Sequence, residues 1–302
     1  MQKTTPKAPK PHLQERRKAR WGYFFCLPWL VLFLIFYVYP FFYGIIVSFT
    51  DFKIGSMSWT GFTNYKEIAG NYAFWRSLLA TLCYAVICIP LEVFLPLWAA
   101  NTLRPHSNRF NTVSKLLIYL PGVVSSVALV IAWKVMLLPD VGLISQVLKP
   151  FGLGRVSLLD SAVTSIPIMS ILIVACCLGA NLIIYSGALN NIPATYFEAA
   201  ELDGATRGQQ FRKITMPMLQ PTIVYVFITS TIACLQIFVI PQLMTSGGPN
   251  YTSSSLLMLI YSSAFSNGKF GYASAIGVIL FALTAVIAVI QFRVTQRETI
   301  EY

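Results

Sequence analysis

Residues 198–221 read EAAELDGATRGQQFRKITMPMLQP, a stretch with three acids, three bases and two glycines. An uncharged run, 161–197, leads into it, and another, 214–268, begins directly after Lys213. Such a polar island poses the question of which solvent surrounds the rest of the chain. Of the 302 residues, 56% are hydrophobic and 11% are charged, whereas about one quarter of a soluble domain is charged. Further uncharged runs cover 26–50, 116–133 and 270–292, and 77–103 is interrupted by Glu92 alone. About 20 apolar residues carry a helix across a bilayer core, so these runs predict spans rather than a soluble core.

Six helices are predicted, at 22–49, 76–101, 114–137, 164–189, 221–243 and 271–293, which makes the chain an all-α polytopic membrane protein. The run 214–268 is long enough for two crossings, but TSGGPNYTSSS at 245–255 is a Gly/Pro/Asn/Ser break. The apolar piece after it, 256–265, is too short to span and predicts a short interfacial or re-entrant helix. With the N-terminus in the cytoplasm, 15 of the 22 Lys and Arg lie on that side and seven outside. The opposite orientation reverses the positive-inside bias. Residues 1–21 then form a basic cytoplasmic tail, 22–293 the permeating domain, 190–220 a cytoplasmic loop, 244–270 an extracytoplasmic segment, and 294–302 a short cytoplasmic C-terminus. The first apolar run is too long for a signal-peptide core and reads as a retained anchor. Cys26, Cys83, Cys88, Cys176, Cys177 and Cys234 all fall inside apolar runs without metal-ligand spacing and read as packing residues, and no metal site is predicted.

On the cytoplasmic side, 190–220 reads as two short helices. Asn191 is an N-cap candidate with Pro193 in the first turn, and Gly204 supplies the left-handed residue that ends the first helix. Thr206 and Gln209 have capping-box spacing for a second helix that ends before Pro217. Tyr196, Ala199, Ala200 and Asp203 share a face on which the two alanines leave room for a close partner. A plain amphipathic loop lying on the bilayer fits the same pattern. A DNA-binding helix-turn-helix does not, because spans close in on both sides of it.

The segment resembles the EAA motif of permease subunits of bacterial ABC importers, through Glu198, Ala199, Ala200, Asp203, Gly204, Ala205, Phe211, Ile214, Pro217 and Pro221. Met216 stands where the family usually has leucine, a volume-conserving change. The segment TSGGPNYTSSSLLMLIYSSAFSNGKFGYASA at 245–275, the opening apolar stretch and GFTNY at 61–65 are similar to the sugar-importing branch, relatives of the maltose and glycerol-phosphate permeases. The resemblance implies the type I importer permease (MetI-like) fold in a bacterial cytoplasmic membrane. It further implies coupling helices seated on a cytoplasmic ATPase dimer that binds ATP and Mg, a second permease subunit forming a heterodimer, an extracytoplasmic solute-binding protein and a sugar substrate. This chain would hold no cofactor of its own.

Within the spans, Glu92 is the one acid, and an intramembrane ionisable group is a functional candidate. A structural role beside Pro90 and Pro96 is the competing reading. Lys134 reads as an interface anchor. A sugar path needs hydroxyl-matching polar groups and aromatic faces, which makes Asn181, Tyr185, Ser230, Gln236 and Phe238 candidates alongside Glu92. An ion-coupled transporter using Glu92, or an ABC permease for another solute, are the alternative functions. HExxH, GxSxG and GxxxxGK[ST] are absent from the sequence, so neither a metalloprotease, a serine hydrolase nor an ATPase is expected.

Overall fold

The computed structural model describes residues 23–53, 55–103, 109–139, 141–149 and 158–296. The basic tail, Arg104, Arg155 and the last six residues therefore lie outside the described residues. Among the described residues, five helices are long and apolar enough to cross a membrane: Tyr23–Val47, Tyr72–Thr102, Val163–Asn190, Gln220–Thr245 and Phe270–Thr295. They are the first, second, fourth, fifth and sixth spans below.

The third predicted span is not a single rod. Arg109–Val123 and Ser126–Met136 meet at 93°. Pro121 removes one helical amide from the first piece, and Ser125 is extended at φ −52°, ψ 123°, so the ladder fails where the sequence reads PGVVSS. The first piece packs closely on the fourth span: a Cβ on Gly179 would lie 2.5 Å from the Cα of Tyr119. Lys134, in the second piece, donates from Nζ to the Leu243 carbonyl oxygen at 2.8 Å. It thus ties the bent pair to the fifth span instead of simply anchoring an interface.

The second span begins at Tyr72, earlier than predicted, because the Asn71 side chain accepts from the amide of Ala73 and caps it. Its core-facing residues join three clusters. One gathers Tyr84, Cys88, Met169, Leu172 and Leu235 at mid-length. A second, at the end carrying residues 190–220, holds Leu97, Leu182, Tyr185, Leu189 and Leu219. The third lies at the opposite end, where Phe74, Leu256, Tyr272 and Ile276 meet. The first span is the exception: 6% of its most apolar window is buried, against 28–44% for the other four. It meets the bundle near its C-terminal end, with Phe41 edge-on to Phe281 at 4.8 Å.

A two-stranded hairpin follows the first span, β1 (Thr50–Lys53) antiparallel to β2 (Ser56–Trp59), with Thr50 opposite Trp59. Asn64 Nδ2 donates to the carbonyls of Ser48 and Thr50, each at 2.9 Å, and binds the hairpin to the next helix. The predicted short helix is Leu256–Tyr261, extended by a wide π-turn over Ser262–Ser266. Leu256, Met258 and Leu259 are buried, and the Leu256 amide donates to Thr81 Oγ1 of the second span at 2.9 Å. It is therefore folded into the bundle along one face.

Candidate coupling loop and permeation site

The fourth span ends at Asn190, and Asn191 (φ −81°, ψ −10°) closes that helix rather than opening the next. Pro193 occupies the N-cap, and the following helix is Ala194–Leu202. The physical reason is Pro193 itself, which disfavours helical geometry at the residue before it. The far end matches the sequence reading. Gly204 sits at φ +74°, its amide donates to the Glu201 carbonyl at 3.0 Å, and the Ala205 amide reaches back to the Ala200 carbonyl at 2.8 Å. These paired bonds make a Schellman cap, with the glycine at its left-handed position. A Cβ on Gly204 would meet nothing within 4 Å, so the backbone angle, not crowding, calls for glycine.

The chain then restarts at once. Gln209 donates its amide to Thr206 Oγ1 at 3.4 Å, while Thr206 donates its amide to Gln209 Oε1 at 2.8 Å, completing the capping box. Helix Arg207–Gln210 continues through a π-turn, Phe211–Thr215, into Met216–Met218. The predicted end before Pro217 is thus displaced. The wide turn upstream lets Pro217 enter the next turn near its start, where its missing amide costs little. Glu198, Ala199, Asp203, Gly204 and Pro217 are exposed, and Ala200, Ala205, Phe211 and Ile214 are half-buried. Leu202 is 90% exposed, an apolar knob at the tip of a polar element. The sequence reading passed over it because leucine fits any helix pattern; its signal was the position, next to the terminating Asp-Gly. Concavities of about 310 Å³, between Glu198, Arg207 and Phe211, and about 400 Å³, between Ala200, Gly204 and Lys213, flank the helix.

The six candidates for the solute path divide into three places. Glu92, Asn181 and Ser230 come together at mid-bundle. Asn181 Nδ2 donates to the main-chain oxygen of Glu92 at 3.1 Å, and Cys234 Sγ lies 3.7 Å from Glu92 Oε1. Ser230 and Cys177 also face that carboxyl. Tyr185 lies deeper in the loop-end core, fully buried, with a hydroxyl that has no hydrogen-bond partner among the described residues. Gln236 and Phe238 mark a break in the fifth span, whose helices are Gln220–Leu235 and Val239–Thr245. Gln236 is exposed, and the Phe238 ring lies 5.1 Å from Tyr261. A broken helix leaves main-chain polar groups unpaired, and in a membrane protein such backbone is tolerated where protein or a wet cavity satisfies it.

Residues 68–300 match the family of binding-protein-dependent transport system inner membrane components. The chain belongs to this family. Among its relatives, the probable ABC transporter permease protein YesP of Bacillus subtilis is 31% identical over 277 residues, covering 90% of this chain and 89% of that one. The lactose transport system permease protein LacF of Rhizobium radiobacter is 29% identical over 276 residues, covering 90% and 92%. In structure, the permease is similar to a chain of a bacterial ABC transporter involved in the import of the acidic polysaccharide alginate. The TM-score is 0.83 at 23% identity, over 96% of this chain and all of the other. A second solved alginate transporter, in complex with an alginate pentasaccharide-bound periplasmic protein, gives 0.82 at 24% identity. The permease is thus the membrane-spanning subunit of a binding-protein-dependent importer, with a solute-binding protein as partner. It is a transport subunit, and ATP hydrolysis resides on a separate one.

Proposed function

We propose that this permease forms half of the pore of a sugar or oligosaccharide importer and that 190–220 is where force from the ATPase enters it. The observation that carries the reading is the loop itself: a short exposed helix with a Schellman end at Gly204 and a capping box directly behind it. The turn between this helix and the next is hydrogen-bonded on both sides, by the Schellman pair before it and the capping box after it, so the two short helices can be pushed as a unit. Ala199 and Ala200 allow a close seat, Glu198 and Asp203 offer charge to basic partner residues, and Leu202 offers an apolar contact. On this reading the loop and both termini are cytoplasmic and 244–270 faces outward, in a bacterial inner membrane. A second, unlike permease completes the pore, and the ATPase dimer supplies ATP and Mg.

The substrate class is supported by what related permeases serve. Their names specify lactose, arabinooligosaccharides, multiple sugars and trehalose/maltose, and each match spans 90–92% of this chain. Among the path candidates, Gln236 and Phe238 fit a sugar best, since an amide and an aromatic face sit together at a helix break. Ser230, Glu92 and Asn181 lie deeper, and Tyr185 would need the bundle to open. The test is uptake of labelled oligosaccharides by vesicles carrying the permease with its partner subunits and binding protein. Uptake should require ATP on the loop side and survive an ionophore; uptake that follows an ion gradient without ATP would overturn the proposal.

A further inference from the structure

The second span is a 31-residue helix with prolines at 90 and 96. A proline has no amide hydrogen, so Pro96 leaves the carbonyl four residues earlier, that of Glu92, without its helical donor. Glu92 is 1% exposed, and water does not reach that oxygen. The fourth span supplies the donor instead, through Asn181 Nδ2 at 3.1 Å. The carboxyl of the same residue turns to the fifth span, where Cys234 Sγ lies 3.7 Å from Oε1 and Ser230 faces it. One residue therefore joins three spans at a point where one of them is weakened. The other two are those that lead into and out of the 190–220 loop.

We propose that Glu92 and Asn181 are positioning residues, a clamp that makes the second, fourth and fifth spans move as one body when the loop is driven. The proposal assigns Asn181 to the proline-freed carbonyl rather than to solute, and Glu92 to helix registration rather than ion coupling. Its link to transport rests on the coupling role given above to the loop. The geometric part stands without it.

A double-mutant cycle in the assembled complex tests both parts. Pro96→Ala restores a main-chain donor to the Glu92 carbonyl, so the Asn181 amide becomes redundant. Asn181→Leu, nearly isosteric, should lower the melting temperature of the complex and cut solute moved per ATP about tenfold, while in the Pro96→Ala background the same change should have under about a twofold effect. Assembly of the Asn181→Leu complex only in the Pro96→Ala background would support the clamp equally. Equal loss in both backgrounds, no loss in either, or failed assembly in both overturns it. Glu92→Gln, which keeps an oxygen acceptor, should retain uptake and Glu92→Leu should lose it; loss of uptake by a stably assembled Glu92→Gln complex also overturns the proposal. If the unmodified complex shows no ATP-driven uptake, the importer reading falls, and the melting temperatures still decide the clamp.

Discussion

Gly204 shows how one residue carries the loop's geometry. Its φ of +74° lies where an L side chain costs about 1–2 kcal/mol, and the space around it is open. Gly204→Ala should therefore impair the loop through backbone strain alone, and Gly204→Asn should be milder, because asparagine tolerates this region. Gly204→Asp adds a charge beside Asp203 at the carbonyl end of a helix, where the dipole is already negative. At normal membrane expression it should abolish uptake and weaken retention of the ATPase on the purified permease. Uptake at the unmodified level would refute the loop's role. The cap at Gly204 and the Thr206–Gln209 box were legible because each is a rule about a few neighbouring residues. Asn191 misled for the same reason: an asparagine between two helices can end one or begin the other, and Pro193 decided it. That Asn181 and Glu92 meet was not legible, since 89 residues separate the partners.

At the scale of elements, the lengths of apolar runs foretold the spans but not their shape. PGVVSS breaks the third span and Gln236–Phe238 the fifth, and neither break shortens an apolar run, which is why counting residues could not find them. The hairpin was missed for a different reason. TDFK and SMSW are too short and mixed to stand out beside helices of 25 to 31 residues, and a lone hairpin is marginal by itself. What holds it is tertiary. A Cβ on Gly271, at the start of the sixth span, would lie 1.9 Å from the Thr50 carbonyl oxygen of β1, so the two backbones are in direct contact. Gly271→Ala should force the hairpin off the span at a cost of about 1–3 kcal/mol, read as a melting temperature lowered by several degrees. Gly277→Ala, on the same helix with nothing within 4 Å of its added carbon, should leave it unchanged. A Gly271→Ala protein as stable as the original would show that the contact is slack.

Across the whole molecule, the second span is the ruler. At about 1.5 Å per residue its 31 residues measure about 46 Å, enough to cross a bilayer including its headgroups. Its first turn sits with the hairpin end, where Asn71 Nδ2 donates to Tyr272 Oη at 2.7 Å. Its last turn sits with the loop, where Asn101 shares a concavity with Glu198 and Glu201. The hairpin and the loop therefore emerge at opposite ends of the bundle, and one orientation assigns both. The excess of Lys and Arg, 15 against seven, predicts that the loop end is the cytoplasmic one. Ser56→Cys in β2 and Glu201→Cys in the loop both put a thiol at an exposed position. A membrane-impermeant maleimide should label Ser56→Cys from outside intact cells and Glu201→Cys only in inverted vesicles, with the unmodified permease and its six native cysteines as the blank. The reverse pattern would turn the molecule over, place the loop beyond reach of a cytoplasmic ATPase, and leave the basic side facing outward against the charge bias that orients membrane chains.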